Sequence, residues 1–129
     1  MSQLPHLSVP APASARHHRS TDERLCRLIG DIVATTFGVT VQDLRAPSRG
    51  TAPVAFARQV AMYLGHVVFG LSLTRLGRGF GRDRTTAGHA CRMIEECRDD
   101  PAVDQFFGML EAACCDVAAA WRSGRRVRP

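Results

Sequence analysis

Residues 72–98 read SLTRLGRGFGRDRTTAGHACRMIEECR, and the fold turns on how this stretch is parsed. Ser72 suits a helix cap ahead of a short segment, Leu73 to Phe80. Glycines at 77, 79 and 81 loosen the end of that segment and supply a turn. Asp83 then caps a longer helix in which Ala87, Ala90, Cys91, Ile94 and Cys97 face inward. Two helices joined by a glycine-containing turn form a helix-turn-helix, whose second helix enters the DNA major groove. The same glycines do not make a nucleotide-binding loop, because no strand precedes them and their spacing departs from GxGxxG.

Upstream, the spacing predicts a helix opened by a capping box, Ser20-x-x-Glu23, and closed at Gly38. Its apolar face holds Leu25, Leu28, Ile29, Ile32, Val33 and Phe37. Thr40 caps a short turn, Val41 to Arg45, and a loop follows from Ala46 to Ala52 with Arg45 and Arg49 as basic flanks. Pro53 suits a first helical position. Phe56, Val60, Tyr63, Leu64, Val67 and Val68 then describe a second amphipathic helix, closed by Gly70.

Downstream, Asp100-Pro101 opens a last helix whose apolar residues are Val103, Phe107, Leu110, Cys114, Val117 and Trp121. Their alternating spacing is that of a coiled-coil seam, so the helix is a candidate homodimer surface. Its first half is expected to pack on the core, leaving Cys114, Val117 and Trp121 for a partner. No segment reads as a strand. The expectation is an all-α domain of five to six helices over residues 20–122. A disordered, proline-bearing arm, 1–19, precedes it, and a basic tail, 123–129, follows.

Composition excludes several classes of function. All 17 basic side chains among the 129 residues are arginine. Without lysine, neither a Walker-type phosphate loop nor Schiff-base catalysis is possible. No run approaches the ~20 apolar residues of a membrane span, and the start, MSQLPHLSVPAPASA, lacks the pattern of a signal peptide. A soluble protein of the reducing cytoplasm is expected, nucleoid-associated if it binds DNA, with its five cysteines as free thiols. His89, Cys91 and Cys97 do not converge on one helix face, so no metal site is expected. No paired nucleophile is visible, so neither an enzyme nor a cofactor or nucleotide partner is expected.

The charge is unevenly placed. Residues 45–92 hold eight arginines against the single acid Asp83, whereas residues 93–121 hold seven acids against Arg98. So dense a positive segment suggests a polyanion partner, here double-stranded DNA. The start of the second helix of the motif offers Arg82, Asp83, Arg84 and Thr85 as base readers. Arginine bridges guanine O6 and N7, aspartate accepts from cytosine N4, and threonine offers a hydroxyl and a methyl. Asp83 would cap its helix even without DNA.

At these residues the stretch RDRTTAGHACRMIEE resembles the signature of the C-terminal DNA-binding domain of DnaA, the bacterial chromosomal replication initiator. Upstream residues 57–64, ARQVAMYL, together with Leu71-Ser72-Leu73 and Val41-x-Asp43-Leu44, extend the resemblance over about residues 22–112. It implies a helix-turn-helix that contacts bases through Asp83 and Thr85, with Thr86 near the DNA backbone. Arg58, Gln59 and Leu73 would fall where the family touches phosphates, and Arg49 lies in the loop that sends an arginine into the minor groove. Thr74, Arg75, His89 and Arg92 complete the candidate phosphate and loop set.

Departures from the family pattern bear on specificity. A single glycine precedes Arg82 where the family has two, Arg84 replaces a base-reading histidine, and Thr74 and Arg75 replace proline and glutamate. The loop is poorer in basic residues, with Thr51, Ala52 and Pro53 in its second half. The initiator places its ATPase domain before this module, whereas here only the short arm does, so a stand-alone binding module is expected. The alternative is a protein-interaction module of the same fold that docks a replication or regulatory partner and not DNA.

Overall fold

A computed structural model describes residues 13–124. Six helices follow one another without a strand among the described residues: α1 (Ala13–Phe37), α2 (Val41–Arg45), α3 (Ala52–Val67), α4 (Leu73–Gly79), α5 (Arg84–Cys97) and α6 (Pro101–Gly124). The all-α expectation holds, with the higher of the two helix counts.

The caps act where the sequence places them. The hydroxyl of Thr40 accepts from the N–H of Asp43 at 3.0 Å and that of Ser72 from Arg75 at 3.2 Å. The carboxylate of Asp83 accepts from Thr86 at 2.8 Å, and that of Asp100 from Ala102 at 2.9 Å. Each satisfies one of the backbone donors that a helix start leaves without a partner. The first helix differs from expectation. It starts at Ala13, so Ser20 and Glu23 lie inside α1 and not at its start. Alanine and arginine at 13, 15, 16 and 19 are strong helix formers, and a helix nucleated by packing propagates through them at little cost. Residues 1–12 of the expected arm and 125–129 of the expected tail lie outside the described residues.

α3 is the central element. Ala57, Val60, Ala61 and Leu64 are wholly enclosed, and Val54, Ala55, Met62 and Tyr63 nearly so. A helix buried around most of its circumference is a core helix, not a surface one. The single stripe read from the sequence is therefore too narrow, and Val67, expected inside, is 49% exposed. The small residues Ala57, Ala61 and Gly65 let neighbours approach on several sides. Leu25, Ile29 and Val33 of α1, Leu44 of α2, Leu76 and Phe80 of the α4 segment, and Ala87, Ala90 and Ile94 of α5 close around it. Each large apolar side chain enclosed in this way stabilises the fold by roughly 1.5–3 kcal/mol.

α6 closes the core. Phe107, Cys114 and Ala118 are buried, and Val103, Leu110 and Trp121 pack against the same cluster. The Arg24 guanidinium lies over the Trp121 ring at 5.6 Å. Most of the seam thus packs on its own domain: of the residues assigned to a partner Cys114 is buried and Trp121 partly so, while Val117 is half-buried outside that cluster. Arg98 fixes the start of this helix. Its Nε donates to Asp104 at 2.7 Å, and its Nη1 to Glu111 at 2.6 Å and to the Tyr63 hydroxyl at 2.9 Å.

The helix-turn-helix depends on Gly77. A Cβ there would stand 2.6 Å from the Arg82 carbonyl oxygen and 2.9 Å from the Asp83 backbone. The Arg82 N–H donates to the Gly77 carbonyl at 2.7 Å, and Gly81, at φ +67°, turns the chain between them. Gly77 is thus a packing residue and does not merely loosen α4. Gly77→Ala is expected to destabilise the protein by roughly 1–3 kcal/mol, because backbone, not a flexible side chain, must move. Urea unfolding of the two proteins measures the difference.

Candidate nucleic-acid interface

The inner face of α5, Ala87, Ala90, Cys91 and Ile94, is locked into the core. That anchoring leaves Arg84, Thr85, Thr86, His89 and Arg92 exposed on the outer face over its first three turns. Asp83 stands exposed at the head of the helix. Its hydrogen bonds from the Thr86 and Thr85 N–H groups favour the carboxylate and hold it below the usual carboxylate range. The capping role read for Asp83 is the one its geometry displays.

Arg82 is not aimed outward with the other three base candidates. Its Nη2 donates to the Ala46 carbonyl at 2.8 Å and to that of Ser48 at 3.2 Å, and its Nη1 to Phe80 and Gly81 at 3.3 Å each. The single-glycine turn places this side chain beside the loop after α2, whose carbonyls have no helical partners. Arg82 thus braces that loop, a positioning role beside the base contact read for it.

Arg58 departs further from expectation. It is 4% exposed, and its guanidinium donates to three main-chain carbonyls: Leu44 at 2.8 Å, Asp43 at 2.8 Å and Arg49 at 3.0 Å. At this burial most of the side chain is committed to the loop carbonyls, leaving little of it open to a phosphate. Arg45 adds a third brace, donating from Nη1 to the Gly79 carbonyl at 3.2 Å. Between them, Arg45, Arg58 and Arg82 bind the α2–α3 loop to the helix-turn-helix. Burial, then the charges of Arg82 and Arg49, hold the Arg58 pKa below its ordinary value, while Asp43 opposes them. An anion arriving near Arg49 and Arg82 relieves part of that repulsion.

The remaining candidates divide. Arg49 is exposed at the loop tip and Thr74 at the start of α4, while Gln59 and Leu73 are half-buried. Arg75 is held by Asp22 through bonds of 2.8 and 2.6 Å, and this pairing raises its pKa. Its partner lies in α1, 53 residues away in sequence, and no local pattern announces the pair. The structural role of Arg58 left one signal, since it is the only charge within the apolar run from Val54 to Leu64. Among the cysteines, Cys26, Cys91 and Cys114 are buried and Cys115 is exposed; all are free. Burial pushes the Cys26 thiol up to about 11. The described residues contain no group of three or more metal-ligating side chains and no helix long and apolar enough to cross a membrane.

Comparison with known proteins adds to this geometry. The family model for the bacterial dnaA protein helix-turn-helix matches residues 26–94. The chromosomal replication initiator protein DnaA 1 of Protochlamydia amoebophila is 47% identical over 79 residues, covering 60% of this chain and 17% of the relative. The initiator DnaA of Symbiobacterium thermophilum is 41% identical over 90 residues, covering 65% and 19% respectively. The chain therefore spans under a fifth of the length of these relatives. A solved structure of the replication initiator DnaA bound to AMPPCP and single-stranded DNA superposes with a TM-score of 0.71 at 26% identity. That superposition covers 87% of this chain and 34% of the other.

Two outcomes follow from the braces and the cap. Arg58→Lys keeps the charge but loses the planar fork, and is expected to destabilise the protein by about 1–3 kcal/mol. Hydrogen exchange at residues 46–51 should quicken alongside the loss seen in denaturant unfolding. For Asp83 the folded pKa lies below the ordinary 3.8, so its stabilisation is full above that value and lost as pH falls through the lower folded value. The thermal-stability gap between wild type and Asp83→Ala should stay level from neutral pH to about pH 5 and narrow in stronger acid.

Proposed function

The chain belongs to the bacterial DnaA helix-turn-helix family, and from that premise we propose that it binds double-stranded DNA in a sequence-specific manner. It acts at initiator-like sites, as a regulator of replication initiation or of transcription. The observation that carries this reading is the outer face of α5, whose inner face is anchored in the core while Arg84, Thr85, Thr86, His89 and Arg92 stand in solvent.

α5 enters the major groove. Arg84 bridges guanine O6 and N7, Thr85 contacts a neighbouring base edge, and the second carboxylate oxygen of Asp83 accepts from a cytosine amino group. The N–H groups of the first turn, with Thr86, His89 and Arg92, meet the phosphate backbone. Arg49 reaches the adjacent minor groove from a loop that Arg58 and Arg82 hold in place. Gln59, Leu73 and Thr74 flank the same backbone path. The reading involves no catalytic group, cofactor or nucleotide, and places the chain on the nucleoid in the cytoplasm.

A second reading draws on a specific observation. Arg58, Arg75 and Arg82, all expected at DNA, are engaged within the protein. Meanwhile α6 exposes Phe106 and Met109, 42% and 68% accessible, beside the acids of its first turns. On that reading the fold docks a replication or regulatory protein and not DNA. A duplex library titrated at about 150 mM salt separates the two, since specific sites bind at roughly 10⁻⁸–10⁻¹¹ M. Retention of a defined motif supports DNA reading, and retention of none supports protein docking.

Within the first reading, Arg84→Ala is expected to relax base preference by ~1–3 kcal/mol at one position and leave the others unchanged. Selection of bound duplexes with both proteins measures it, and identical selected motifs would exclude Arg84 as a base reader.

A further inference from the structure

On the side formed by α1, α2 and the end of α4 lies a cavity of about 360 Å³, lined by Glu23, Arg27, Arg45, Arg78, Gly79, Phe80 and Gly81. None of the outer-face residues of α5 lines it. Three guanidinium groups meet a single carboxylate there, so the lining carries a net charge of about +2 by counting its ionised groups at neutral pH. Among the described residues none of the three arginines has a carboxylate partner within ion-pair distance, although Glu23 and Arg27 are one helical turn apart. Arg45 is further underused. One of its terminal nitrogens donates to Gly79 and its guanidinium lies over the Phe80 ring at 5.7 Å, while the other terminal nitrogen, Nη2, is buried with no hydrogen-bond partner. An enclosed guanidinium nitrogen without an acceptor is an uncommon arrangement in a folded protein.

We infer that this cavity is an anion site, separate from the α5 face, for the terminal phosphate of a small phosphomonoester or diphosphate. The charge matches, since such a group carries about −1.5 to −2 at neutral pH. The volume falls within the ~300–1,000 Å³ of small-molecule sites and exceeds the needs of one bare oxyanion. Arg27 and Arg78 form the exposed mouth, and Arg45 the half-buried wall.

Pyrophosphate is the probe, titrated into the full chain while the arginine Nε–Hε resonances are followed by NMR. Saturable binding that moves the Arg27, Arg45 and Arg78 signals is expected. The R27Q/R78Q variant should weaken it by about tenfold or more and leave duplex DNA affinity within about twofold. Both side chains are exposed, so the fold persists in the variant, which circular dichroism checks; R78Q alone carries the test if the double variant unfolds. Non-saturable binding, or equal affinity in the variant, overturns the site. An equal loss of duplex DNA and pyrophosphate binding also overturns it, by assigning the cavity to the DNA backbone. Because the pyrophosphate arm needs no DNA, its result stands whether or not the chain binds a duplex.

Discussion

The arrangement of the candidate interface depends on one buried guanidinium. Arg58 rises from the central helix into the α2–α3 connection and donates to the carbonyls of Asp43, Leu44 and Arg49. A loop cannot satisfy its own carbonyls as a helix does, and leaving several of them unpaired beside a core is costly. Arginine suits this task because its planar fork serves several acceptors at once with little further loss of freedom. Arg82 repeats the device from the helix-turn-helix side, and Arg45 from α2. The loop tip with Arg49 and the head of α5 with Arg84 are thereby held in one frame. Ordering the loop before any ligand arrives removes part of the entropy cost that binding would otherwise carry.

That frame rests on a core in which backbone meets backbone closely at Gly77. The turn packs directly against α4, so α4 and α5 keep one relative orientation, and the outer face of α5 is presented by geometry and not by flexibility. The anchoring is distributed. α3 supplies the apolar centre, α5 contributes one face only, and α6 is pinned by Arg98 through Asp104, Glu111 and Tyr63. The lone arginine of an acidic segment thus has a structural explanation, since each acid it meets comes from the helix it anchors.

Local chemistry was legible in the sequence, and long-range pairing was not. Thr40, Ser72, Asp83 and Asp100 announced their helices because a cap is a contact two or three residues long. The inward face of α5 followed from helical periodicity. The internal bonds of Arg58, Arg75 and Arg82 were not legible, because a basic residue near a binding motif looks the same in sequence whether it meets a phosphate, a distant carbonyl or a distant carboxylate. What covers the α6 seam was not legible for a related reason, since apolar spacing specifies a buried face and not what buries it. Val67 shows the same limit in reverse, lying on a good stripe at the end of a helix where no neighbour covers it.

The use of arginine alone for these braces and exposed cations has a consequence for regulation. Arginine stays protonated throughout the physiological range, and the chain offers no side-chain amine. Lysine acetylation, which elsewhere removes positive charge from nucleic-acid-binding surfaces, has no substrate side chain on this one. The charge that these arginines give the face is therefore insensitive to that modification and constant across the physiological pH range. Offsetting that arginine charge falls to added negative groups or to a bound anion.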